Sequence, residues 1–201
     1  PQVDITLAAC EAATTVVLQR NEQLPLTHGD TFLHRSLVHY VHDCTEDPPV
    51  WETAEPDAVE RAIAEQAVAW IDDESTIQAG ALPTTEAVLD ALAGHSRLGA
   101  HTSVLSDGMR KLIEQGVIDN TCKSLDRGKT VAAGCLGSAD LYRFVHDNPH
   151  VLFRNAEAVS DPRTTASCHR LVGINRIDRI DFAGRAAFGS GLAPDDGGAV
   201  L

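Results

Sequence analysis

Between residues 75 and 154, short apolar runs rich in β-branched residues alternate with stretches of helical periodicity, and this alternation limits the fold more than any other feature. "STIQAG" (75–80) reads as a strand, and "TTEAVLDALAG" (84–94) as a helix capped by Thr at its start and closed by Gly94. "LGAHTSVL" (98–105) is the next strand. It leads through a tight turn at Ser106-Asp107-Gly108 into a helix with Met109, Leu112 and Ile113 on one face. "KTVAAGCLGSADLYRFVHDNP" (129–149) repeats the unit, with Ser138 as N-cap and Asn148-Pro149 as the stop. "HVLFR" (150–154) and "RLVGINRIDRIDFAG" (170–184) add extended pieces. Strand–helix units in series predict an α/β fold, a mostly parallel sheet flanked by helices.

Upstream, residues 5–13 are alanine-rich and helix-like, and "TTVVLQ" (14–19) and "SLVHYV" (36–41) are strand candidates. The proline- and acid-rich "EDPPVWETAEPD" (46–57) reads as a linker. After it Val59, Ile63, Ala67, Trp70 and Ile71 recur at helical spacing. "LAPDDGGAVL" (192–201) reads as a loose tail.

The 201 residues suffice for one domain, or for one and part of another. A net charge of −13 and the absence of a Lys/Arg run argue against nucleic acid as a main partner, because phosphate recognition needs a basic face. No apolar run reaches the roughly 20 residues that cross a bilayer. The start, "PQVDITLAAC", lacks the basic character of a secretion signal, so a cytoplasmic location is expected. The five cysteines are scattered without a CxxC pair and read as reduced thiols. His28, His34, His39 and His42, with Asp30 and Asp43 among them, invite a metal site, but their spacing does not put them on one face and no metal is expected.

Four segments, "THGDTFLH" (27–34), residues 98–118, "GSADLYRFVHDNPHV" (137–151) and "VGINRIDRIDFAG" (172–184), occur in an order and spacing that resembles the acetyl-CoA hydrolase/transferase family, in the branch similar to 4-hydroxybutyrate CoA-transferases. The resemblance implies a CoA-transferase-like (NagB/RpiA-like) domain pair with acyl-CoA bound between the two. Residues 1–50 would end a first such domain, 51–58 would be the linker, and 59–201 would be a second, incomplete domain. It also implies a partner: a homo-oligomer, or a chain that supplies the missing domain.

In that family a glutamate of a His-Thr-Glu motif attacks the thioester and forms an acyl-glutamyl anhydride, covalent catalysis by a carboxylate in a dry pocket. Here the motif reads His101-Thr102-Ser103, so serine stands at the nucleophile's position. The family's asparagine before Asp-Pro is replaced by Ser160 in "AVSDP". Its glycine-rich turn beside CoA is shortened to "QAGALP", which keeps Gln78, Gly80 and Pro83. A further glycine segment of the family falls beyond the last residue of this sequence. Asn175 matches the family pattern or only satisfies backbone at a strand end, and with Gly137 and Ser138 at a helix start it joins the candidate set for acyl-CoA or CoA. A helix start at Ser138 could hold an anion, or be an ordinary N-cap. Lys123, Arg127 and Lys129 could meet phosphates, or form a solvated loop.

Three functions stay open at this level. The chain binds acyl-CoA with changed catalytic residues, so that transferase activity is weak or absent. Alternatively it is a non-catalytic subunit of another chain, or a thioester or ester hydrolase using Ser103 and His101. Those two side chains fall on one face of a strand, but no Gly-x-Ser-x-Gly elbow surrounds Ser103, so a small residue filling an old pocket is the preferred reading.

Overall fold

The computed structural model describes residues 2–187. In chain order the elements are α1 (Thr6–Ala12), β1 (Val17–Asn21), β2 (His28–Gly29), β3 (Tyr40–Cys44), α2 (Ala58–Val68), β4 (Thr76–Ala79), α3 (Pro83–Ala91) and β5 (Gly99–Leu105). These are followed by α4 (Asp107–Glu114), β6 (Thr130–Cys135), α5 (Ala139–Val145), β7 (Val151–Phe153), α6 (Ala156–Ser160), α7 (Pro162–Ser167), β8 (Leu171–Ile174) and the short pair β9 (Arg179–Ile180) and β10 (Ala186–Ala187).

The main sheet runs β2-β7-β6-β5-β4-β8, and every one of its pairings is parallel. Parallel sheets need cover on both faces. Alternate residues of β6 show how it is supplied. Ala132 joins a core with Ile77, Ala100, Leu89, Met109 and Leu141 from β4, β5 and the helices α3 to α5. Val131 and Ala133 point the other way and pack with Val159 of α6. The expected α/β architecture is therefore present.

Several local readings need correction. The predicted turn at 106–108 is a helix start: Ser106 is the N-cap, accepting the Met109 N–H, and α4 begins at Asp107. The strand expected at 36–41 is displaced to Tyr40–Cys44, because the His34 ring caps a 3₁₀ turn at Arg35–Leu37 by accepting the Ser36 N–H. That at 14–19 shifts to Val17–Asn21, and within 170–184 only Leu171–Ile174 lies in the main sheet. The tail at 192–201 lies outside the described residues. No helix among the described residues is long and apolar enough to cross a membrane.

The proline-rich stretch expected as a linker is docked. The Trp51 N–H donates to the Gly137 carbonyl, the Tyr142 hydroxyl donates to the Pro49 carbonyl, and Pro56 is buried. Asp57 and Glu60 then form a reciprocal capping box that starts α2. Two parts of the segment before the proline-rich stretch reach the main sheet. Val3 donates its N–H to the Ala133 carbonyl, and β2 is the edge strand of the main sheet beside β7. Gly29 makes that edge possible. Its φ is +107° and a Cβ there would lie 2.1 Å from the Phe153 carbonyl oxygen. By contrast, β1 and β3 form a separate two-stranded parallel ribbon on which Val17, Leu18, Tyr40 and Val41 are all exposed.

Candidate functional site

In open parallel sheets ligands meet the carboxyl ends of the strands, where loops leave for the helices. Register decides which side chains gather there. Ile77 pairs with Ala100, so the continuation of each strand places Gln78 and Gly80 on the same face as His101 and Ser103. Gln78 also pairs with Gly173 on β8, which brings Asn175 to that face, where its Nδ2 donates to Gln78 Oε1 at 3.5 Å. A Cβ at Gly80 would meet nothing within 4 Å, so the surface above it is open. Pro83 is the first residue of α3, just beyond this loop. Gln78, Gly80, Asn175 and Ser103 thus share one strand-end surface, and His101 lies on the same face but is buried.

His101 and Ser103 share a face but not a hydrogen bond. His101 is 2% exposed, and its Nε2 donates to the Val159 carbonyl of α6 at 3.0 Å. A carbonyl can only accept, so Nε2 carries the proton and Nδ1 the lone pair. Nδ1 is buried and has no partner among the described residues. Ser103 is exposed at the open end of β5. A serine nucleophile needs its base within hydrogen-bond reach, and here the imidazole is instead spent on tethering α6 to β5. Ser160, at the end of α6, is exposed.

Burial lowers the His101 pKa from its usual 6.5, partly offset by the Val159 hydrogen bond, and the Lys123 ammonium lowers it further. Protonation would put a second, unpartnered N–H into this buried site. Because the folded value lies below the unfolded one, the neutral ring's contribution to stability is complete above pH 6.5 and is lost as pH falls through the folded value. Urea unfolding of the wild type between pH 7 and 5 is expected to show this loss. His101→Gln, which keeps a donor but does not titrate, is expected to flatten the profile; an equal slope in both would remove His101 as its source.

The Ser-Asp-Gly segment that follows is built inward. Asp107 accepts the Ser138 N–H and the Ser138 hydroxyl, each at 2.7 Å, and Arg110 Nε at 3.3 Å. A Cβ on Gly137 would lie 2.4 Å from Asp107 Oδ2, and the Gly137 carbonyl is already taken by Trp51. The Ser138 N–H is committed to Asp107, and the docked proline-rich stretch takes the neighbouring Gly137 carbonyl. Ser138 is an ordinary N-cap, accepting the Leu141 N–H.

Behind the segment, Glu86 of α3 accepts the Gly108 N–H on Oε2 at 2.7 Å, while its Oε1 is buried without a partner among the described residues. Burial raises the Glu86 pKa against the opposing bonds from Ser106 and Gly108. The basic cluster is committed as well. Lys123 is 5% exposed and its Nζ donates to the Ala100 and Lys129 carbonyls, with burial lowering its pKa to about 8. Arg127 and Lys129 donate to the Thr121 and Pro149 carbonyls. Neither phosphate contact nor a solvated loop describes Lys123, which holds the start of β5 in place. Among the described residues no cluster of His, Cys, Asp and Glu is arranged to hold a metal ion.

Sequence reading missed Glu86, Thr102, Asp107 and Lys123 as structural members of this region. Glu86 sits in a helical pattern that does not show which charged residue turns inward. Asp107 follows an N-cap, where an acid is favoured by the helix dipole alone.

Comparison with known proteins agrees with this architecture. Residues 137–192 match the acetyl-CoA hydrolase/transferase C-terminal domain model. The chain is 34% identical over 184 residues to 4-hydroxybutyrate coenzyme A transferase of Clostridium kluyveri, an alignment covering 90% of this chain and 42% of that protein. It is 35% identical over 191 residues to the succinyl-CoA:acetate/propanoyl-CoA:succinate CoA transferase of Fasciola hepatica, covering 93% and 39%. Among solved structures, 4-hydroxybutyrate CoA-transferase from Porphyromonas gingivalis superposes with a TM-score of 0.86 at 32% identity, over 92% of this chain and 47% of that one. RipA from Yersinia pestis does so with a TM-score of 0.87 at 26% identity, covering 91% and 43%. The chain spans about two fifths of the length of these curated relatives.

Proposed function

The chain is homologous to CoA-transferases of the acetyl-CoA hydrolase/transferase family, and from that premise we propose that it binds acyl-CoA at the carboxyl ends of β4, β5 and β8 while transferring CoA weakly or not at all. The observation that carries this reading is the side chain at position 103. The resemblance puts a nucleophilic glutamate there, and this chain presents an exposed serine with no base hydrogen-bonded to it among the described residues. Attack by a carboxylate yields an anhydride, which a second acid or CoA opens readily. Attack by a hydroxyl would yield an ester, a far poorer acyl donor, and would first need a base to take its proton. Binding of the nucleotide thioester does not depend on that carboxylate, so the ligand can outlast the reaction.

Isothermal titration of the 201-residue chain with acetyl-CoA and with CoA tests this. Binding at millimolar ligand or below is expected, a free energy of about −4 kcal/mol or stronger. No heat at millimolar concentration overturns the reading.

Two observations favour a role as a subunit of a larger assembly. Parallel strands are normally buried on both faces, yet the β1–β3 ribbon exposes Val17, Leu18, Tyr40 and Val41. Thioester chemistry is protected by excluding water, yet Ser103 lies open. A second chain, or another copy of this one, that covers the ribbon and closes over position 103 would satisfy both. Light scattering of the purified chain that gives only the monomer mass would exclude self-association.

A further inference from the structure

We infer that Thr102 is a positioning residue whose hydroxyl sets the separation of β4 and β5 at their carboxyl ends, and with it the width of the crevice offered to the thioester end of acyl-CoA. This rests on the acyl-CoA reading above. The ladder between the two strands stops at Ile77 and Ala100, although β4 goes on pairing with β8 to Ala79–Ile174 and β5 with β6 to Leu105–Cys135. The sheet therefore splits between its two innermost site strands while both outer seams stay closed. In the split sits the Thr102 side chain, which is fully buried. Its Oγ1 donates to the Ala79 carbonyl at 2.8 Å and accepts the Ala79 N–H at 3.3 Å, with the Val104 carbonyl as a second acceptor at 3.2 Å.

One hydroxyl thus replaces the main-chain bonds that would otherwise draw the strands together. Ala79 is 1% exposed, so neither of its backbone groups can turn to water. The consequence lies one residue further on each strand. Gly80 and Ser103 follow the bridged residues directly, and the space over Gly80 is free. Serine in place of Thr102 keeps the bridge. Valine keeps the shape of threonine but supplies neither the donor nor the acceptor, so the strands must close, or part to let water in.

The test compares Thr102→Val and Thr102→Ser with the wild type in two readouts: acetyl-CoA affinity by titration at 25 °C, and hydrogen exchange of the Ala79 amide. Thr102→Val is expected to weaken acetyl-CoA binding by about tenfold or more and to speed Ala79 exchange by a similar factor, while Thr102→Ser stays within about twofold in both. A purely structural role would lower the melting temperature of Thr102→Val but leave affinity unchanged well below that temperature. Unchanged affinity, or unchanged Ala79 exchange, in Thr102→Val overturns the inference. Should the valine variant not fold, Thr102→Ala, which leaves room for a water beside Ala79, is read by the same criteria. If the wild type itself binds no acetyl-CoA, the acyl-CoA reading fails; the Ala79 exchange rate still decides whether the hydroxyl bridges the strands.

Discussion

Replacing Ser103 by glutamate is expected to raise CoA transfer from acetyl-CoA to a short carboxylic acid by about a hundredfold over the wild type, some 2.7 kcal/mol of barrier. The side chain at 103 is exposed and makes no side-chain hydrogen bond among the described residues, so stability is expected to change by no more than about 0.5 kcal/mol. The gain comes from a change in chemical step. The carboxylate needs no base, forms a bond to the thioester carbon as CoA thiolate leaves, and holds the acyl group as a reactive anhydride. A solvated carboxylate is a weaker nucleophile than a desolvated one, so the gain is expected to be partial and to grow when a covering partner is present. Ser103→Gln, with equal size and no charge, is the control. Transfer by the glutamate variant no faster than by the glutamine variant would mean that position 103 does not face a bound thioester.

The largest loss of stability outside the apolar core is expected for Asp107→Ala. The carboxylate closes the gap between two helix starts: it belongs to the first turn of α4, and it receives the N–H and the hydroxyl of Ser138, the residue that caps α5. Removing it leaves those two donors without their acceptor and Arg110 with Glu114 alone. Since hydrogen bonds to a charged group contribute about 1.5–3 kcal/mol each, with losses that overlap, a cost of about 3 kcal/mol is expected at pH 7. Asp107→Asn, which keeps one good acceptor, is expected to lose about half of that. Burial pushes the Asp107 carboxyl up, but the Ser138 hydroxyl and N–H and the Arg110 guanidinium together outweigh it and hold the group below its usual 3.8. The sign follows. A folded pKa below the unfolded one gives stability that is complete above about pH 3.8 and disappears as pH falls through the folded value. The stability gap between wild type and Asp107→Ala, measured by urea unfolding, should therefore be constant near neutrality and shrink below pH 3.8. A gap independent of pH down to 2 would show that the charge of Asp107 does not hold α5 in place.

Alternation of β-branched runs with helical periods is a property of consecutive residues, and so the parallel α/β sheet, its strands at 75–80, 98–105, 129–135 and 150–154, and the helices between them could be read without coordinates. That His101 and Ser103 share a face was legible for the same reason, since period-two alternation puts residues two apart on one side, whereas Gln78 and Gly80 were singled out only by the family resemblance. What neighbours do across space was not legible. That His101 spends its ring on the Val159 carbonyl, that Asp107 occupies the Ser138 N–H, and that Lys123 is buried against the Ala100 and Lys129 carbonyls depend on residues 58, 31, 23 and 6 positions away. The docking of the proline-rich stretch on Gly137, and of β2 on β7, likewise joins segments far apart in the chain. Local pattern determined the elements, since propensity and amphipathicity act over a few residues. Only the tertiary structure decided which polar groups remain free for a ligand, because a buried donor or acceptor must find a partner wherever the fold happens to bring one.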